Sequence, residues 1–148
     1  MLSTRLVRLI ETHADELTRG LVSHLKTHPR TPSLHGYAEA DLRGAHSLYL
    51  NLGEWLSGKN ETEARKKYEE LGRRRHAEGL PLSEILYALA VTKNHLLEFA
   101  TTSSEGMSAI EGHGERELIL MVSRFFDNAM YFTATGYEQA KSGQRAVA

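Results

Sequence analysis

The chain contains no cysteine, which excludes disulfides, zinc ribbons, iron–sulfur clusters and thiol catalysis together. Proline is scarce, three residues in 148, and β-branched residues never alternate in runs, so nothing reads as a strand. Long apolar runs are missing too. The longest, LILMV at 118–122, is far short of the roughly 20 residues that a membrane span needs. Arg5, Arg8 and Glu11 interrupt any apolar core of a secretion signal in the first turns. There is no excess of either charge: 18 basic against 19 acidic residues leave −1, without the bulk attraction that nucleic-acid binders show. Together these absences describe a soluble, cytoplasmic protein.

What is present is helix. Hydrophobic residues make up 41% and charged ones 25% of the chain, ordinary for a globular fold. At this length one domain, residues 1–148, is expected, with 141–148 as a frayed tail. Apolar residues recur at three and four throughout. A first helix is predicted from Ser3 to Thr27 on the stripe Leu2, Leu6, Leu9, Ile10, Leu17, Leu21 and Leu25, stopped by Pro29 and Pro32. A second spans Ala38 to Leu56, and Ser57-Gly58 ends it. Asn60 with Glu63 opens a third in the manner of a capping box. The fourth begins near Pro81, with Leu82, Ile85, Leu89, Thr92, Leu96 and Phe99 on one face. Residues 101–115 read as a loop or weak helix, loosened by Gly106, Gly112 and Gly114. The last helix, from Glu115 to Lys141, is apolar over more than half its circumference. The fold class is therefore all-α, a bundle of five to six helices with a long C-terminal one.

The stretch GRRRHAEGLPLSE, residues 72–84, joins the third helix to the fourth. Gly79 is placed to close a helix in left-handed geometry. Arg73, Arg74, Arg75 and His76 sit where the helix dipole favours cations. Consecutive arginines point in three directions and cannot form one clamp, so capping and solvation are expected of them. Glu69 and Glu70 with Arg73 and Arg74, four apart, read as exposed helix pairs.

The same residues carry a resemblance. YEELGRRRHAEGLPLSEILYAL (68–89), Trp55-Leu56, and RFFDNAMYFTATGYEQA (124–140) with Asp127 and Tyr137 are similar to the RsbRD N-terminal domain family, named after co-antagonists of the switch kinase RsbT. The likeness implies a globin-like, non-haem sensory input module of the stress-response type, acting in signal transduction. It supplies no catalytic residue. Such modules precede output domains, and no output domain follows Tyr137 in this sequence. The chain is thus expected to work on a downstream signalling partner or as part of a longer protein.

Three further patterns bear on function. His13, His24 and His28 fall in one sector of the first helix; His24 and His28, at i and i+4, are the helical half of a metal site, for which His35 or His46 would have to supply a third ligand. Dipole and packing roles outweigh that, and no metal is expected. His46, Tyr49, His76 and His95 are placed to line a pocket between the second, third and fourth helices. It would take a small apolar or amphipathic ligand. A haem held by His46, His76 or His95 is the alternative, and would make the chain a gas or redox sensor. On the last helix, Phe125, Phe126, Met130, Thr133 and Tyr137 recur at three and four, the spacing by which two copies could pair into a homodimer. Catalytic arrangements are missing: no glycine-rich loop follows a strand, and GHGE at 112–115 is too short to be a phosphate loop.

Overall fold

A computed structural model describes residues 4–57, 61–103 and 109–147. The elements are α1 (Thr4–Thr12), α2 (Ala14–Thr27), two 3₁₀ turns (Pro32–Leu34 and Glu39–Leu42), α3 (Ala45–Leu50), α4 (Leu52–Leu56), α5 (Glu61–Ala77), α6 (Leu82–Ser103) and α7 (Ala109–Val147). No strand occurs among the described residues, and the fold is all-α. None of these helices is long and apolar enough to cross a membrane.

The predicted first helix is two helices. At His13 the backbone leaves the helical region, φ −100° and ψ 16°. The N–H of His13 and its ring Nδ1–H both donate to Leu9 O, at 3.1 and 2.8 Å. The apolar stripe nevertheless continues across the break, with Leu6, Ile10, Leu21 and Leu25 all buried. Leu2 lies outside the described residues. The predicted second helix is likewise divided, into a 3₁₀ turn, α3 and α4. Its inner joint is Asn51, φ −120° and ψ 35°, whose side-chain amide and N–H both donate to Ser47 O. In each case a polar side chain doubles onto the carbonyl four residues back, which competes with straight helix.

Gly58 and Asn60, the stop and cap expected around the third helix, lie outside the described residues. At the far end of α5 the expectation for Gly79 holds, with φ +82°. Leu80 N–H reaches back to Arg75 O and Gly79 N–H to His76 O, which is the Schellman closure. Pro81 O then accepts from Glu84 and Ile85 at the head of α6. Glu84 in turn accepts from Ser33 N–H and Oγ–H, at 2.8 and 2.7 Å, tying the first 3₁₀ turn to α6.

The last helix is longer than predicted at both ends. It begins at Ala109, inside the stretch read as a loop or weak helix, and runs to Val147 through the tail expected to fray. Gly112 and Gly114 therefore sit within helix, and Gly106 lies outside the described residues. At about 1.5 Å per residue α7 spans about 58 Å. Its wide apolar stripe is spent within the chain. Leu118, Val122, Phe126 and Ala129 are buried in the core, and the remainder of the stripe packs against α5, α6 and α4. Lengthwise, α5 lies against α7 so closely that the backbones touch. A Cβ on Gly72 would fall on Thr133 O and within 2.7 Å of Tyr137 N, and one on Gly136 would fall on Glu69 O.

Candidate functional site: a cavity with a cationic mouth

A cavity of about 520 Å³ opens between α2, α3, α5 and α6. Its walls follow from helix periodicity. On α5, Lys67, Leu71, Arg74 and Arg75 share one face, at the three-and-four spacing that stacks side chains, and all line the cavity. Leu21 and Leu25 of α2, Ile85 and Leu89 of α6, and Phe126 of α7 make the interior apolar. The mouth is basic: Arg43, His46, Lys67, Arg74 and Arg75 line it, and no Asp or Glu does.

The five bases are not equivalent. Arg43 donates to Asp15 at 2.6 Å and stands 3.7 Å from Glu39. The Arg43 hydrogen bond, against a slight opposing effect of desolvation, holds the Asp15 carboxyl below the ordinary range. Arg75, its side chain 11% exposed, donates to Glu78 at 2.8 Å and to Asp41 O at 2.9 Å, and lies over the Tyr37 ring. Tyr37 also donates to Glu78, at 2.7 Å. Burial alone would raise the pKa of Glu78, but the hydrogen bonds from Arg75 and Tyr37 outweigh it and depress it. Burial and the Glu78 bond both push the Tyr37 hydroxyl up.

Lys67 and Arg74 differ from these. Neither forms an ion pair or a hydrogen bond to a carboxylate among the described residues. Lys67 is held by Gly44 O at 3.4 Å and by the faces of Trp55 and Tyr68. Burial lowers its pKa, because the ammonium has left water without gaining a counter-charge.

Of the four predicted pocket residues, only His46 lines the cavity. Tyr49 is one turn on but faces the core, fully buried, its hydroxyl donating to Thr92 O at 3.2 Å. Burial, together with the nearby Tyr68, raises its pKa. His76 occupies the opposite face of α5, edge-on to Tyr137 at 4.9 Å. His95 packs on Gly20 of α2, and burial lowers its pKa against the pull of Glu98. The three histidines offered for haem thus stand in three places. Of the three, His46 alone lines this cavity, beside Arg43 and Ser47.

The histidine sector of the first helix is also dispersed. His13 stacks on Phe99. His24 and His28 stack on each other at 5.1 Å, and His28 also on Tyr87. His35 Nε2–H donates to His28 O. No three His, Asp or Glu side chains converge among the described residues.

The arginine cluster needs one correction. The three do point apart, Arg73 toward Glu70 and Gln139, Arg74 to the cavity mouth and Arg75 inward. Arg75 is therefore buried structure rather than a solvated cap. The helix pairs are shifted as well: Arg65 meets Glu69 and Arg73 meets Glu70.

The residues expected at a dimer interface are largely consumed internally. Phe126 and Thr133 are buried, and Thr133 Oγ–H donates to Ala129 O. Phe125 lies edge-on to Trp55, Tyr68 and Phe126, and Met130 packs on the Tyr68–Leu89–Ala129 cluster. Tyr137 meets His76 and donates to Leu80 O at 2.8 Å. Among the described residues, the large apolar side chains that α7 exposes are Leu120 and Tyr131, 56% and 66% accessible.

Reasoning from sequence missed Lys67, which carries no motif. The one available signal was its place on the same helical face as Leu71 and Arg74.

No curated protein and no solved structure matches the chain, so the globin-like detail rests on the family likeness alone. The profile of the RsbT co-antagonist protein rsbRD N-terminal domain, in contrast, matches residues 11–146, and the chain belongs to that family of signalling domains.

Proposed function

We propose that the chain is a cytoplasmic signal-input module without a catalytic step, passing the state of its cavity through α5 and α7 to an output domain or partner protein. The family match over residues 11–146 carries this reading. The packing supports the route. One face of α5 lines the cavity with Lys67, Leu71, Arg74 and Arg75, and the other meets α7 through Gly72 and His76. With backbone against backbone at Gly72 and Gly136, α5 cannot tilt without moving α7 or opening the contact. Close-packed interfaces answer such a push by switching between discrete arrangements. In this reading two copies pair along the free face of α7, where Leu120 and Tyr131 stand exposed.

The test places the chain before a histidine kinase or cyclase output domain. Tyr137→Phe removes the bond to Leu80 O while keeping the ring on His76, and is expected to change output with helicity retained. Equal output from wild type, Tyr137→Phe and Gly136→Ala would remove the relay. A haem sensor would instead show a Soret band in freshly purified protein, and none is expected.

A further inference from the structure

The cavity combines an apolar interior with a mouth that carries positive charge and no carboxylate, in a chain whose net charge is only −1. That composition narrows the occupant. A metal ion or an organic cation would meet only like charge. A nucleotide would find neither a phosphate-binding loop nor polar edges along walls built from Leu21, Leu25, Ile85 and Leu89. A neutral hydrophobe would fill the interior but leave Lys67 and Arg74 as they are. Lys67 is half-buried with no carboxylate beside it among the described residues, a costly state for an ammonium; Arg74 is exposed, and Arg43 and Arg75 already have partners in Asp15 and Glu78. Tyr68, itself buried, also lines the cavity wall.

We infer that this cavity binds an amphipathic anion, a single apolar tail seated on the α2 and α6 leucines with its carboxylate head held by Lys67 and Arg74. The size is suitable, since ligand pockets commonly enclose roughly 300–1,000 Å³ and this one about 520 Å³. The charges are suitable, since a hydrogen bond between ionised partners is about twice as strong as a neutral one. The depressed pKa of Lys67 agrees: an ammonium deprived of solvent gains most from an arriving anion. The proposal rests on the input-module reading only in making occupancy the signal; the binding itself can be measured without any output domain.

The chain carries its own reporter. Its single tryptophan, Trp55, has the Lys67 ammonium over its ring at 5.1 Å, so drawing Lys67 toward a head group changes tryptophan emission. Sodium dodecanoate, kept below its micellar concentration, is titrated into the full chain beside dodecanol and dodecylamine, with calorimetry in parallel. Saturable one-to-one binding of dodecanoate is expected, with dodecanol at least about tenfold weaker, as loss of a charge-assisted hydrogen bond implies, and no saturable binding of dodecylamine. Lys67→Gln is expected to weaken dodecanoate by about tenfold or more and leave dodecanol unchanged. Ala88→Phe, which fills the cavity from α6, is expected to abolish both, and circular dichroism checks that it folds. Equal affinity for acid and alcohol, unchanged dodecanoate affinity in Lys67→Gln, or no saturable dodecanoate binding would each overturn the proposal. None of those results bears on whether Tyr137→Phe alters a reporter, so the relay stands or falls separately.

Discussion

The crossing of α5 and α7 is the most sharply testable feature of the fold. A methyl group added at Gly136 by Gly136→Ala would occupy the position of Glu69 O, with Glu69 C at 2.7 Å and Cα at 2.8 Å. These are main-chain atoms inside a helix, so no side chain can swing aside, and the two helices must separate. Overpacking typically costs about 1–3 kcal/mol, and a rigid backbone neighbour places this site at the upper end. Separation also strains the Tyr137 bond to Leu80 O, worth about 1 kcal/mol. Against this, alanine is the better helix former by about 1 kcal/mol. The net expectation is a loss of about 2–3 kcal/mol, or a fall in melting temperature of about 5–10 °C for a chain of this size. Gly143→Ala is the matched control: it lies in the same helix, exposed, with nothing within 4 Å of the added carbon. It is expected to stabilise slightly through helix propensity alone. Urea and thermal unfolding of both variants decide the matter. A Gly136→Ala protein as stable as Gly143→Ala would show that the helices do not touch there.

Gly79→Val forces a β-branched residue to φ +82° and is expected to cost about 1–3 kcal/mol, read from thermal melts; a melting temperature equal to wild type would sink the capping account. Arg75→Ala leaves Asp41 O and Glu78 without their donor and is expected to cost about 1–3 kcal/mol, whereas Arg74→Ala stays within about 0.5 kcal/mol. Glu78 has a folded pKa below its unfolded value, so its stabilisation is complete above roughly pH 5 and is lost as pH falls through the folded value. The stability of Arg75→Ala is therefore expected to depend less steeply on pH in that acid range than wild type, and parallel curves would count against the pairing. Sedimentation at micromolar concentration is expected to show a dimer that Tyr131→Glu splits with helicity retained. Phe126→Glu, in contrast, should unfold the chain, because Phe126 is buried within one copy.

Much of the architecture follows directly from residue spacing. The stripe Ile85, Leu89, Thr92 and Leu96 faces inward as the period of α6 demands, and Gly79 ends α5 where a basic last turn predicts it. The errors have a common physical source. His13 and Asn51 break helices by donating to carbonyls four residues back, yet Thr18, Thr92 and Thr133 make the same bond inside unbroken helices. The local chemistry is alike, and tertiary packing decides whether the helix continues. Gly112 and Gly114 argued for a loop at about 1 kcal/mol apiece, but the helix that continues past them buries Leu118 and Val122, whose burial is worth more than that penalty.

The site was harder to read because its chemistry depends on which cations lack partners. Five bases line the cavity, and the sequence ranks such residues by type and spacing, which favoured the histidines and left the arginine run as a solvated helix end. Arg43 and Arg75 are neutralised by Asp15 and Glu78. The Asp15 pairing spans 28 positions, and no local pattern could announce it. Lys67 sits in a charged helix, three residues from the inward-facing Ala64 and next to Tyr68, and reads there as one solvated lysine among several. Its neighbour Lys66 is exposed, whereas the 100° step to Lys67 turns the next ammonium toward Gly44 O and the aromatic faces. A substitution pair separates the two roles. Lys66→Gln is expected to leave stability and dodecanoate affinity unchanged, as a solvated position allows. Lys67→Gln is expected to cost affinity alone, because the lysine stabilises the empty protein little while its charge is unmatched. Equal behaviour of the two variants in the titration would mean that the half-buried ammonium has no part in holding the ligand.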